Sequence, residues 1–182
     1  MSYFLRFKVD KIQIFLKSNK TVEYASTGYI YGDRARYFDE IENINQLKKS
    51  FSFLNLQEKE NYIDYARFRI MILSGGPIAE TLFLSGNNKR LKISAEFRGP
   101  DLARLEEINK FLSKYDPQYS KNILRDNMIA VTVFFSRDIF WDSIGRIATK
   151  LLGSSKLCIH NEEIERVLNE TGFIQYVNKQ YE

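Results

Sequence analysis

The side chains able to do chemistry are sparse in this sequence. It holds one histidine, His160, and one cysteine, Cys158. Two carboxylates stand out by their setting. Glu80 closes the stretch Leu73-Ser74-Gly75-Gly76-Pro77-Ile78-Ala79-Glu80, and Asp101 follows Gly99-Pro100. Two carboxylates without an imidazole suit hard cations and hold them weakly. A zinc hydrolase would use three protein ligands, and His-Glu-x-x-His on a helix supplies two of them on one face. That motif does not occur among these residues. With a single cysteine, neither an internal disulfide nor a cysteine-based zinc site is expected.

Each of these residues also has a plainer reading. Gly75 and Gly76 form a pair of the kind that ends helices. Asp101 falls in a first helical turn, where backbone dipoles favour a carboxylate. Glu80 reads as a surface or helix-pairing residue. His160, before Asn161-Glu162-Glu163, reads as the cap of the last helix. Cys158, between Leu157 and Ile159, reads as a buried small apolar group. Trp141 reads as core packing.

Composition bounds what these residues can belong to. A chain of 182 residues suits one domain with a real core. Hydrophobic residues make up 44% and aromatics 14%, which excludes a disordered chain. No apolar run reaches the roughly 18 residues that span a bilayer. The N-terminus lacks the apolar core and small-residue cleavage site of a signal peptide, so a cytoplasmic protein is expected. The net charge of +4 arises from 27 basic and 23 acidic residues spread along the chain. The nearest thing to a basic patch, Asn87-Asn88-Lys89-Arg90-Leu91-Lys92, reads as a solvated loop. Nucleic-acid binding is not expected, because the aromatics follow apolar-face spacing and do not interleave with a basic stripe.

The elements follow from periodicity. Alternation over Val9 to Leu16 predicts a strand, and Thr21 to Tyr31 predicts a second. Lys17-Ser18-Asn19-Lys20 between them predicts a hairpin turn. Asp39 to Leu56 holds a short helix and a loop. Gln57 to Leu73 is a strong helix, with Tyr62, Ile63, Ala66, Ile70 and Leu73 at three- and four-residue steps. Gly75-Gly76 is expected at a junction, with a new helix from Pro77 that turns Ile78, Ala79, Leu82 and Phe83 to the core. Ser85 to Gly99 reads as a loop. Pro100 opens a helix carrying Leu102, Leu105, Ile108, Phe111 and Leu112, and Asp116-Pro117 ends it. Tyr119 to Leu152 is mainly helical with a break near Ser136, because Val131 to Phe135 are poor helix formers. A last helix runs from about Asn161 to Asn169 and stops before Gly172. The fold class is therefore mainly α with a small β hairpin, an α+β chain.

Residues 67 to 112 resemble the FtsH-type zinc peptidase domain and its relatives that lack the ATPase. In that family a helix ends in a Gly-Gly-x-x-Ala-Glu-like segment. A loop follows, and an Asp at the start of another helix is the third zinc ligand. The matching residues here are Gly75, Gly76, Ala79, Glu80 and Asp101. Phe140 to Ile144, Ala148, Leu151-Leu152 and Ile159 to Val167 resemble the family's closing helices. At the N-terminus, Tyr3, Phe4, Leu5 and Phe7 lead into Val9-Asp10-Lys11-Ile12, as the tail of the catalytic helix enters a strand in such relatives.

The resemblance implies a single peptidase-like helical domain over residues 1–182 that lacks its N-terminal catalytic helix, with His-Glu-x-x-His expected before Met1. It implies that Asp101 is the third zinc ligand of an intact homologue, that Glu80 orients a ligand, and that Gly75 and Gly76 shape the site. No catalytic residue lies in the chain as given, and zinc is expected only in an intact homologue. Two functions follow as expectations. One is a zinc metalloendopeptidase that is inactive without the missing motif, in which the motif glutamate would act as general base on zinc-bound water. The other is a non-catalytic pseudo-peptidase that binds a peptide or a protein. A homodimer through Tyr3, Phe4, Leu5 and Phe7 is also expected, since an apolar groove is rarely left in water.

Overall fold

The apolar-rich run from Lys8 to Leu16, which alternates only in part, builds strand β1, and β1 pairs antiparallel with β2, Val22–Ile30. Ile12 faces Thr27 and Ile14 faces Ala25 across this ladder. The intervening turn places Lys20 in the left-handed region, at φ 64°. A computed structural model of the chain describes residues 8–20, 22–30, 35–84, 100–116, 118–119 and 122–180. The expected loop at 85–99, with its basic run, lies outside the described residues. So do Tyr3, Phe4, Leu5 and Phe7, on which the homodimer was expected to rest.

The described chain is mainly helical and carries one small sheet, as the periodicity predicts. A third strand, β3, Cys158–His160, joins the other edge of β1, giving the order β2-β1-β3. Three residues are too few for a periodic signal, and β3 is fixed by pairing Ile12 with Ile159. The chain divides into two compact units, one formed by residues 32–136 and the other by 2–31 with 137–182.

In the second of these, the sheet is completed by α6 (Asp138–Gly153), α7 (Asn161–Glu170) and α8 (Phe173–Asn178). Ile159, Ile164, Val167, Phe140, Phe173 and Val177 are buried. The Phe140 and Phe173 rings meet edge to face at 5.0 Å. The Asn161 amide donates to the Val9 carbonyl at 2.9 Å and fastens the start of α7 to β1. Gly172 separates α7 from α8 at φ 75°, a conformation that strains any residue with a Cβ. The last helix therefore stops where expected, and one more short helix follows it.

The other unit is helical. It comprises α1 (Ala35–Glu42), α2 (Ile44–Ser50), a 3-10 turn at Phe51–Phe53, α3 (Leu56–Leu84), α4 (Pro100–Tyr115) and α5 (Ile123–Phe135). The helices α1, α4 and α5 all pack on α3. Aromatic rings fill one end of this core. Tyr37 stacks on Tyr65 at 5.1 Å, and Phe51 meets Phe111 edge to face at 5.0 Å. The Tyr62 hydroxyl donates to the Glu40 carboxylate, whose other oxygen accepts from Arg36 at 3.0 Å. Burial, with that bond, pushes the Tyr62 phenol above its ordinary range.

Ion pairs lock the helices together. Glu42 at the end of α1 takes Arg69 of α3 at 2.6 Å and Arg104 of α4 at 3.3 Å. Arg104 also donates to the Glu42 carbonyl, which satisfies an acceptor at the helix end. Among the described residues no helix is long and apolar enough to cross a membrane.

One expectation is corrected here. Gly75-Gly76 is not a junction between two helices, because α3 runs without interruption from Leu56 to Leu84. Pro77 cannot supply the amide that the Leu73 carbonyl would accept, and its ring crowds the preceding turn. Ser74, Gly75 and Ile78 around it are buried, and that burial holds the segment helical. The hydroxyls of Ser74 and Thr81 bond back to the Ile70 and Pro77 carbonyls, each at 2.8 Å.

Candidate functional site

The continuity of α3 sets the geometry around Glu80. Residues four, seven and eight places beyond Gly76 share its helix face, and they are Glu80, Phe83 and Leu84. All four are exposed, whereas Gly75, Ile78 and Leu82 on the other side are buried. Phe83 is 74% exposed and Leu84 76%. The last two turns of α3 thus present a stripe that begins flat, carries one carboxylate and ends in two large apolar side chains.

Phe83 was expected in the core and is not. The signal was available in the sequence: Ile78 and Leu82 are four apart and share the buried face, which turns Phe83 about 100° away from it. Leu102, also expected in the core, is exposed, while Leu105, Ile108, Phe111 and Leu112 are buried as the spacing predicts.

Gly76 gives the stripe a further property. A methyl group placed on its α-carbon would meet nothing within 4 Å apart from its chain neighbours and its own helix backbone, so no tertiary contact demands glycine there. Glycine in an exposed helix interior costs roughly 0.5–1 kcal/mol relative to alanine. Gly76→Ala is therefore expected to stabilise the chain by about that amount, measured as a shift in the urea midpoint. Destabilisation would mean that Pro77 forces the backbone at Gly76 away from helical values.

Asp101 is exposed in the first turn of α4, where Pro100 opens the helix as expected. Among the described residues, no three His, Cys, Asp or Glu side chains are grouped to hold a metal ion. His160 occupies the cap position of α7 without a side-chain cap bond, and its ring is exposed. Cys158 is half-buried, 3.7 Å from the His160 Nε2. Trp141 is half-buried on α6.

Compared with protein-family models, curated proteins and solved structures, the chain matches none of them.

Proposed function

We propose that this chain is a peptidase-like domain that binds peptide or protein segments and does not cleave them with its own residues. The observation that carries the reading is the exposed stripe of α3, where Phe83 and Leu84 each stand about three-quarters in water beside Glu80. Large apolar side chains set together in solvent mark interaction sites more often than idle surface. Glu80 adds a negative charge at the rim of the same stripe, so the favoured segment is apolar with flanking Lys or Arg. A rim charge of this kind steers association and sets partner preference more than it adds affinity.

The resemblance to FtsH-type peptidases supports the polypeptide as ligand class. It places Gly76 and Glu80 beside a peptide-processing site, and Asp101 at the position of a zinc ligand. Hydrolysis by that route takes two imidazoles on one helix face, and the one imidazole of this chain is on β3. No catalytic step is therefore assigned to Asp101 or Glu80.

The test is fluorescence anisotropy with a library of labelled apolar-basic peptides, paired with mass spectrometry of the same mixtures in the presence of zinc. The expected result is saturable binding without cleavage. Phe83→Glu combined with Leu84→Glu should weaken binding at least tenfold, and Glu80→Gln should narrow the preference for basic flanks. Phe53→Glu, at an equally exposed site in the 3-10 turn, should leave binding unchanged. Binding that survives the Phe83/Leu84 replacement would overturn the assignment of the stripe. Peptide cleavage would overturn the non-catalytic reading in favour of a peptidase.

A further inference from the structure

We propose that Cys158 and His160 are half of a zinc site that two copies of this chain complete, each giving one thiolate and one imidazole to a shared ion. The strand β3 alternates, so Cys158 and His160 share one face, and Ile159 between them points into the core with 1% of its surface exposed. The Sγ to Nε2 separation is 3.7 Å. A zinc ion sits about 2.3 Å from a thiolate sulfur and about 2.0–2.1 Å from an imidazole nitrogen. At tetrahedral to trigonal angles those bonds place the two ligand atoms about 3.5–3.8 Å apart. The observed pair already has that separation.

The surroundings explain why the site is half and not whole. Across the ladder, Lys11 stands opposite His160 and Gln13 opposite Cys158, and neither side chain is an ordinary zinc ligand. No third His, Cys, Asp or Glu joins the pair among the described residues. Structural zinc sites are four-coordinate, and Cys2His2 is one of the recurring sets. Two Cys158–His160 pairs make up that set. His160 is exposed and its ring makes no bond to the start of α7, so a second copy can approach it.

The proposal is independent of the α3 stripe and of Asp101. The full chain, stripped of metal with a chelator, is titrated with zinc while its mass is followed by light scattering. Cobalt(II) then replaces zinc, so that a thiolate-to-metal charge-transfer band reports the ligand. The expected result is one metal per two chains, a monomer-to-dimer shift that the chelator reverses, and a cobalt spectrum with a thiolate band. Cys158→Ser and His160→Gln should each abolish the mass shift, and Asp101→Asn should not. Circular dichroism of the metal-free variants establishes that they are folded. Metal uptake that persists in Cys158→Ser, binding of one metal per monomer without dimerisation, or a cobalt spectrum lacking the thiolate band would each refute the proposal.

Discussion

Arg67→Ala is expected to destabilise the chain by about 3 kcal/mol, near the lower end of the range for breaking a buried ion pair. Its partner Asp116 has a side chain only 1% exposed, just past the end of α4. The guanidinium holds both carboxylate oxygens, with Nη2 at 2.8 and 2.7 Å and Nε at 3.0 Å. Asp116 Oδ1 also accepts from the Gln118 amide at 2.8 Å, which shapes the chain as it leaves the helix. Truncating Arg67 leaves this carboxylate buried with one backbone donor. The lower end of the range is chosen because the Arg67 side chain keeps 29% of its surface exposed, so water enters where it stood. Urea denaturation gives the value. The double variant Arg67→Ala/Asp116→Asn should lose less than the sum of the two single variants, since the stranded charge is gone. A loss below about 1 kcal/mol for Arg67→Ala would show that the pair is not coupled as its geometry implies.

Phe111→Ala is expected to cost about 3–5 kcal/mol, the range for emptying a buried aromatic site. Phe111 is fully buried on α4, with Phe51 at 5.0 Å and Tyr115 at 5.1 Å. Rings on two sides, held by the 3-10 turn and by the next turn of α4, leave little freedom for collapse into the void. Phe111→Leu retains most of the volume and should lose under about half as much. The comparison that isolates burial is Phe53, two residues from Phe51 in the same turn and 88% exposed. Phe53→Ala should stay within about 0.5 kcal/mol of the parent. Equal losses at Phe53 and Phe111 would contradict the packing described for the helical unit.

What could be read from the sequence was whatever short-range rules decide. The hairpin at β1 and β2, the proline that opens α4, the break after Phe135 and the stop before Gly172 each follow from a period or a single backbone preference. The misreadings come from long-range packing. Gly75-Gly76-Pro77 satisfies every local rule for a helix end, yet α3 continues through it with Ser74, Gly75 and Ile78 buried. Phe83 is a different case, because its phase relative to Ile78 and Leu82 lies within the helix expected from Pro77 and was legible there. The strand β3 is too short to show alternation, and its pairing with Lys11 to Gln13 joins residues near opposite ends of the chain. Of the stripe on α3, Gly76 and Glu80 belong to the motif seen in the sequence, while Asp101 of the same motif is on α4. The apolar half of the stripe was missed, because Phe83 was counted as core.

The sheet has a consequence for the order in which the protein is made. The strands β1 and β2 leave the ribosome ahead of the helical unit, but the strand that closes the other edge of β1 is encoded about 130 residues later. At the usual pace of translation that interval is roughly 6–26 s. Throughout it, the nascent hairpin carries an uncovered row of backbone amides and carbonyls, the kind of edge that recruits stray strands. The whole of the helical unit is synthesised within the same interval, so its residues are available to fold while β1 still waits for Ile159. Chaperone dependence would then concentrate on the hairpin of β1 and β2, whose sheet is completed last.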